Sequence, residues 1–177
     1  AREVFLFECY TGIRISDILT LKWKHITDEK ISIRMRKTEK LLSIPINDYV
    51  RAVLDRRRCA VENNGGKITS EKYVFNILKV DVDEVSAQDA LNAISSATAV
   101  INKQLKKIAK KTGIDKNLST HCARHSYATA LLTNNIPLPV IKEMLGHSDI
   151  KVTQIYAKVV DSKRNEVVEC LNKVYHG

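Results

Sequence analysis

Long apolar runs are absent from this sequence: the longest stretches, such as Val4 to Phe7, fall far short of the roughly 20 residues a helix needs to cross a bilayer. Glycine and proline are scarce, at 6 and 3 residues, and no repeat or low-complexity stretch appears, which argues against collagenous and linker-like chains. The four cysteines, Cys9, Cys59, Cys122 and Cys170, stand far apart with no CxxC pair. A disulfide scaffold is therefore not expected, and a reduced, cytosolic compartment is the simplest expectation. Acidic residues are also short: 20 Asp and Glu face 29 Lys and Arg, a formal charge of +9. Such an excess favours a polyanionic partner, nucleic acid before an anionic membrane surface.

What is present suits an ordinary globular protein. With 44% hydrophobic and 28% charged residues over 177 positions, the chain fits one domain with a real core. It opens on Ala1-Arg2-Glu3-Val4-Phe5-Leu6-Phe7, inside a helical pattern with no initiating Met, no cap and no signal peptide. We therefore expect a domain of a longer protein.

Residues 3–10 read as the end of a helix stopped by Gly12, with Ser16 capping a short second helix through Ile18, Leu19 and Leu21. Ile31, Ile33 and Met35 alternate with polar residues, as do Leu42, Ile44 and Ile46, which predicts a hairpin with Lys37 at its turn. Pro45 suits only an edge position, because proline cannot donate to the ladder. Residues 48–62 predict a helix ended by Asn63-Asn64-Gly65-Gly66, and residues 73–78 a third short strand. From 86 to 111 the pattern is helical, opened by Ser86 and Asp89 in capping-box spacing and stopped by Gly113. The last third reads as helices over 120–134, 139–145, 149–159 and 161–175. The expected architecture is mainly α with a small antiparallel sheet of about three strands.

Several residues carry chemistry. Lys103, Lys106, Lys107 and Lys110 crowd the polar side of the 86–111 helix, either as a solvated face or as one turned to DNA phosphates. His121 and Arg124 share a helix face, with His125 one step on. The pair His121 and His125 has zinc-like spacing, but Cys122 stands where a catalytic base would follow, and no third ligand is obvious. No metal is expected. Residues 139–158, broken at Gly146-His147, fit a helix-turn-helix reader or two core helices equally well.

The order of motifs is more specific than any one of them: Thr11-Gly12-Ile13-Arg14-Ile15-Ser16-Asp17, Lys37 in a hairpin turn, His121-Cys122-Ala123-Arg124-His125, Leu145-Gly146-His147, and Tyr156 nine residues after that histidine. This resembles the catalytic domain of the tyrosine recombinases, the phage integrase family. The resemblance implies that Arg14 and Arg124 grip the scissile phosphate, that Tyr156 is the nucleophile, and that His121 and His147 complete the pocket. Lys37 matches the family's lysine in the turn between strands, with Lys40 as the alternative, and Asp17 stands where an acidic residue supports the arginines.

Those residue types make coherent chemistry. A phenol with its pKa near 10 attacks a phosphodiester poorly without a base and positive charge on the nonbridging oxygens. Two guanidiniums supply the charge, His121 can accept the proton or hydrogen-bond the phosphate beside His147, and Lys37 can protonate the departing 5′ oxygen. The product is a 3′-phosphotyrosine, and no cofactor is required. The resemblance implies site-specific recombination of double-stranded DNA in a prokaryotic cytoplasm at the nucleoid, for a mobile element rather than chromosome resolution. It also implies a homo-tetramer on synapsed sites, with residues 1–177 forming the catalytic domain, residues 160–177 docking on a neighbouring subunit or on their own domain, and a further N-terminal DNA-binding domain in the whole chain. A membrane role is not expected. Two competing functions remain: a helix-turn-helix regulator that binds without cutting, and a type IB topoisomerase.

Overall fold

A computed structural model describes residues 1–147. Helix α1 (Arg2–Thr11) buries Val4, Phe7, Glu8 and Thr11, the i, i+3, i+4, i+7 stripe that a helix presents to a core. It ends at Gly12, whose φ of 66° takes the left-handed conformation open to a residue without Cβ. The chain re-enters a helix almost at once, as α2 (Ile15–Leu19), with Arg14 at its N-cap and no side-chain cap bond. Ser16 thus lies inside α2 rather than capping it. The tight Gly12 turn leaves Arg14 as the last extended residue, so the helix begins before the serine is reached.

A 3-10 turn (Trp23–His25) leads to the hairpin of β1 (Lys30–Arg34) and β2 (Leu41–Pro45), antiparallel with Ile31 opposite Ile44 and Ile33 opposite Leu42. Both strands alternate exposed and buried, so one face carries Ile31, Ile33, Leu42 and Ile44 into the core. Among the described residues the sheet has two strands, not three. The expected third strand makes one bridge, Tyr73 with Lys22, and then buries Val74 and Phe75 in succession. Its backbone bonds go to the segment around the 3-10 turn, Val74 N–H to the Leu21 carbonyl and Trp23 N–H to the Lys72 carbonyl, rather than to β1 or β2. A buried lysine fixes this arrangement: Lys22 Nζ donates to Asp81 (2.9 Å) and Asp83 (2.8 Å), and the Tyr73 hydroxyl donates to Asp81 (2.7 Å).

Asn47 caps α3 (Asp48–Asn63) by accepting the Val50 N–H. Ser86 caps α4 (Ala87–Lys111), accepting from the Asp89 N–H and donating its hydroxyl to the Asp89 carboxylate, a side-chain variant of the expected box. Ala90, Ile94, Ile101, Leu105 and Ala109 form the buried stripe of α4. Helix α5 (Thr120–Thr133) and helix α6 (Leu138–Met144) follow. Gly146 (φ 60°) ends α6 in a Schellman motif, with Gly146 N–H donating to Glu143 O and His147 N–H to Lys142 O. The described residues fall into two compact units that divide after Tyr127. The expected helices over 149–159 and 161–175, and with them the second half of the helix-turn-helix candidate, lie outside the described residues.

Gly12 is the tightest point of the first unit. A Cβ built there would lie 2.4 Å from Tyr127 Cδ1, on top of the strain of a positive φ. Gly12→Ala is therefore expected to destabilise the protein by more than about 1 kcal/mol, read as a lowered midpoint in thermal or urea unfolding.

Candidate active site

The left-handed turn at Gly12 brings α5 to the end of α1. Arg124, only 7% exposed, donates from Nη1 to the Gly12 carbonyl. A buried guanidinium needs acceptors for its planar fork of donors, and a carbonyl at a helix C-terminus, where the macrodipole is negative, is a favourable one. Two residues beyond Gly12, Arg14 is half-buried and directs Nη1 to the Met35 sulfur at 3.3 Å. The two arginines thus flank one turn, and both act on the same carboxylate.

That carboxylate is Asp17, 3% exposed on α2. Its Oδ1 accepts the Arg36 N–H at 2.9 Å, which ties α2 to the start of the hairpin turn. Its Oδ2 is buried with no hydrogen-bond partner among the described residues. Burial raises the Asp17 pKa, opposed by the Arg36 N–H and by the charges of Arg14, Arg124 and Arg36. Lys37 follows Arg36 directly, exposed within the turn, and Lys40, also exposed, stands where the turn meets β2. The sequence-predicted residues Arg14, Asp17 and Arg124 are therefore brought together, with Lys37 on the turn that Asp17 anchors.

His121 is exposed one turn before Arg124 on α5, and its Nε2 lies 2.7 Å from His125 Nε2. Only one of the two nitrogens can supply the proton of this bond. Burial, then the neighbouring His121 and Arg124, lower the His125 pKa. Among the described residues no cluster of three His, Cys, Asp or Glu side chains is placed to hold a metal. His147 ends the Schellman turn after α6, in the second unit. Tyr156 lies outside the described residues. Lys103, Lys106, Lys107 and Lys110 are all exposed on α4, opposite its buried stripe.

One site residue escaped the sequence reading. Glu8, 2% exposed, lies on α1 one turn before Gly12, and its own backbone carbonyl accepts the Gly12 N–H. Burial pushes its pKa up to about 9, against the lowering effect of Arg124, and its Oε2 is buried with no hydrogen-bond partner among the described residues. The signal was the helical stripe itself, since Val4, Phe7, Glu8 and Thr11 occupy one face, and a carboxyl in such a stripe is seldom buried without a purpose.

Residues 1–163 match the phage integrase family. The chain is 48% identical over 160 residues to "Tyrosine recombinase XerD" of Listeria monocytogenes, a match covering 89% of this chain and 49% of that protein. Among solved structures, a XerA recombinase superimposes with a TM-score of 0.66 at 21% identity, over 93% of this chain and 55% of that one. The Tn1549 transposon integrase in complex with a circular intermediate DNA gives 0.58 at 22% identity, over 87% and 52%. At these identities the structures establish a shared fold. The chain spans about half the length of the curated relatives it matches.

The Glu8 carboxyl makes stability pH-dependent. Its folded pKa lies above its unfolded value of 4.5, so between about 4.5 and about 9 the folded state binds more protons than the unfolded state, and stability falls as pH rises through that window. Glu8→Gln removes this cost. Its melting temperature relative to wild type is expected to climb from pH 5 to pH 9 as ~1 pH-unit steps are scanned; a difference independent of pH would show that Glu8 is ionised throughout.

Proposed function

The chain belongs to the phage integrase family, and we propose that it is the catalytic part of a site-specific DNA recombinase that cuts by transesterification. The observation that carries this reading is the convergence of Arg14 and Arg124 on the turn at Gly12, backed by Asp17. Two always-ionised guanidiniums at one turn suit a phosphodiester whose nonbridging oxygens gain charge in the transition state.

In this reading Arg14 and Arg124 bind the scissile phosphate while the Tyr156 phenol oxygen attacks phosphorus. The P–O5′ bond breaks as the new P–O bond forms, which conserves the phosphodiester for rejoining. His121 accepts the phenol proton, His147 hydrogen-bonds the phosphate, and Lys37 delivers a proton to the departing 5′ oxygen. Asp17 holds the hairpin turn that carries Lys37 through the Arg36 N–H. The step needs neither a metal nor a redox cofactor for its atoms and electrons to balance. The exposed lysines of α4 contact backbone phosphates.

For the whole protein we propose double-stranded DNA as substrate, a homo-tetramer on synapsed sites and a DNA-binding domain ahead of residue 1. Residues 160–177 dock on a neighbouring subunit, and the protein works in the cytoplasm at the nucleoid. Among the described residues no helix is long and apolar enough to cross a membrane. Recombination of a mobile element is the favoured context.

A nicked suicide substrate carrying the element's end, incubated with the full-length protein and run on a denaturing gel, tests the reading. Wild type is expected to give a covalent protein–DNA band that Tyr156→Phe abolishes and Arg124→Ala slows by about 100-fold or more. Tight binding with no band would turn the assignment to a non-catalytic DNA reader, and site-independent relaxation of supercoils to a type IB topoisomerase. Replacing Lys103 and Lys107 with Ala is expected to weaken duplex binding about equally for all sequences. It should also flatten the plot of log affinity against log salt by about one for each DNA phosphate that is no longer neutralised.

A further inference from the structure

Glu8 has no part in the chemistry above, yet it is buried one helical turn before the carbonyl that holds Arg124. Arg124 spends Nη1 on the Gly12 carbonyl, and the Glu8 side chain, one helical turn back, lies within the field of the same guanidinium. The carboxyl is buried, and its Oε2 has no hydrogen-bond partner among the described residues. An acceptor left unused in the interior costs free energy unless something else benefits from its presence. The full charge whose field reaches it is that of Arg124, held on the carbonyl one helical turn along α1.

We propose that Glu8 is a positioning residue for Arg124, setting how firmly the guanidinium is held by the protein and how much of its fork remains for a DNA phosphate. The proposal rests on the reading of Arg124 as a phosphate-gripping residue. As a neutral acid, Glu8 offers Arg124 a polar neighbour without cancelling its charge. As a carboxylate it forms an ion pair with Arg124 and competes directly with phosphate for the same donors.

The groups around Glu8 make the two states separable. From α5 it faces Arg124, and on α1 it adjoins Cys9, whose thiol is pushed up to about 11 by burial and by Glu8 itself. Asp17 on α2 shares the field of Arg124. The charges of α3 nearest to α1, Arg56 and Arg57, are engaged with Glu3 in its first turn. A phenol nucleophile is common to wild type and to every Glu8 variant, so its own alkaline titration cancels to first order in their ratio.

The experiment measures covalent-complex formation by full-length protein on the nicked substrate for wild type, Glu8→Gln and Glu8→Leu, from about pH 7 to about pH 10. At neutral pH Glu8→Leu is expected to react at least about tenfold more slowly, because a displaced guanidinium loses alignment with the phosphate, while Glu8→Gln restores most of the rate. Toward pH 10 the ratio of Glu8→Gln to wild type should rise, as only the wild-type side chain ionises and captures Arg124. A Glu8→Leu enzyme as fast as wild type, or a Glu8→Gln ratio flat across the range, overturns the proposal; the second comparison stands even if Glu8→Leu fails to fold. If wild type gives no adduct, the recombinase reading falls by itself. Duplex affinity then decides: Glu8→Gln and Arg124→Ala are expected to be non-additive above pH 9, and additivity overturns the proposal.

Discussion

The first unit depends on one hydrogen bond, that from Arg124 to the carbonyl of Gly12. It joins residues 112 apart in sequence and fixes helix α5 against the corner between α1 and α2. Gly12 must take a left-handed conformation to end α1 there, and it must lack a Cβ because the Tyr127 ring lies against it. Arg14 follows the same corner two residues later, so one glycine sets the placement of both cations. Two cations are thus placed beside one backbone turn.

Holding two arginines in a partly buried site is costly unless their charge is managed. Two buried carboxyls, Asp17 and Glu8, lie in the field of Arg124, each raised by burial and each lowered in turn by that guanidinium; Glu8, pushed up to about 9, is a neutral acid at neutral pH and leaves the charge in place. Full ionisation of both would cancel most of the arginine charge, whereas full removal would leave the arginines unsupported. Asp17 has a second duty, since its bond to the Arg36 N–H couples the arginine corner to the hairpin turn that carries Lys37. The small sheet therefore serves the site as a bracket, and its buried face of Ile31, Ile33, Leu42 and Ile44 keeps that bracket rigid.

Much of this was legible in the sequence. Helices α1, α3, α4, α5 and α6 follow apolar periodicity punctuated by Gly12, Gly65, Gly113 and Gly146, and the hairpin follows strict alternation. Residues 73–78 misled because Tyr, Val and Phe are strand-forming residues, whereas the fold uses Val74 and Phe75 as consecutive core plugs, a role that composition does not distinguish. Ser16 misled because residue type alone does not show how sharply Gly12 turns the chain. Arg14 and Arg124 were recognisable from the order of motifs, but the carbonyl that holds Arg124 belongs to a backbone turn and has no sequence letter of its own. Glu8 was hidden because a glutamate ordinarily lies at the surface, although its place on the stripe of Val4, Phe7 and Thr11 was in view.

The Lys22 cluster has a different consequence. Exposed charges are screened as salt rises, but the Lys22 ammonium, on a side chain 5% exposed, meets Asp81 at 2.9 Å and is screened less. Salt that screens the exposed lysines of α4 acts far less on the tether between the 3-10 turn and the segment before α4. Strong salt can therefore mask the charge of the surface without loosening the frame beneath it, so that losing surface attraction and coming apart are separate events.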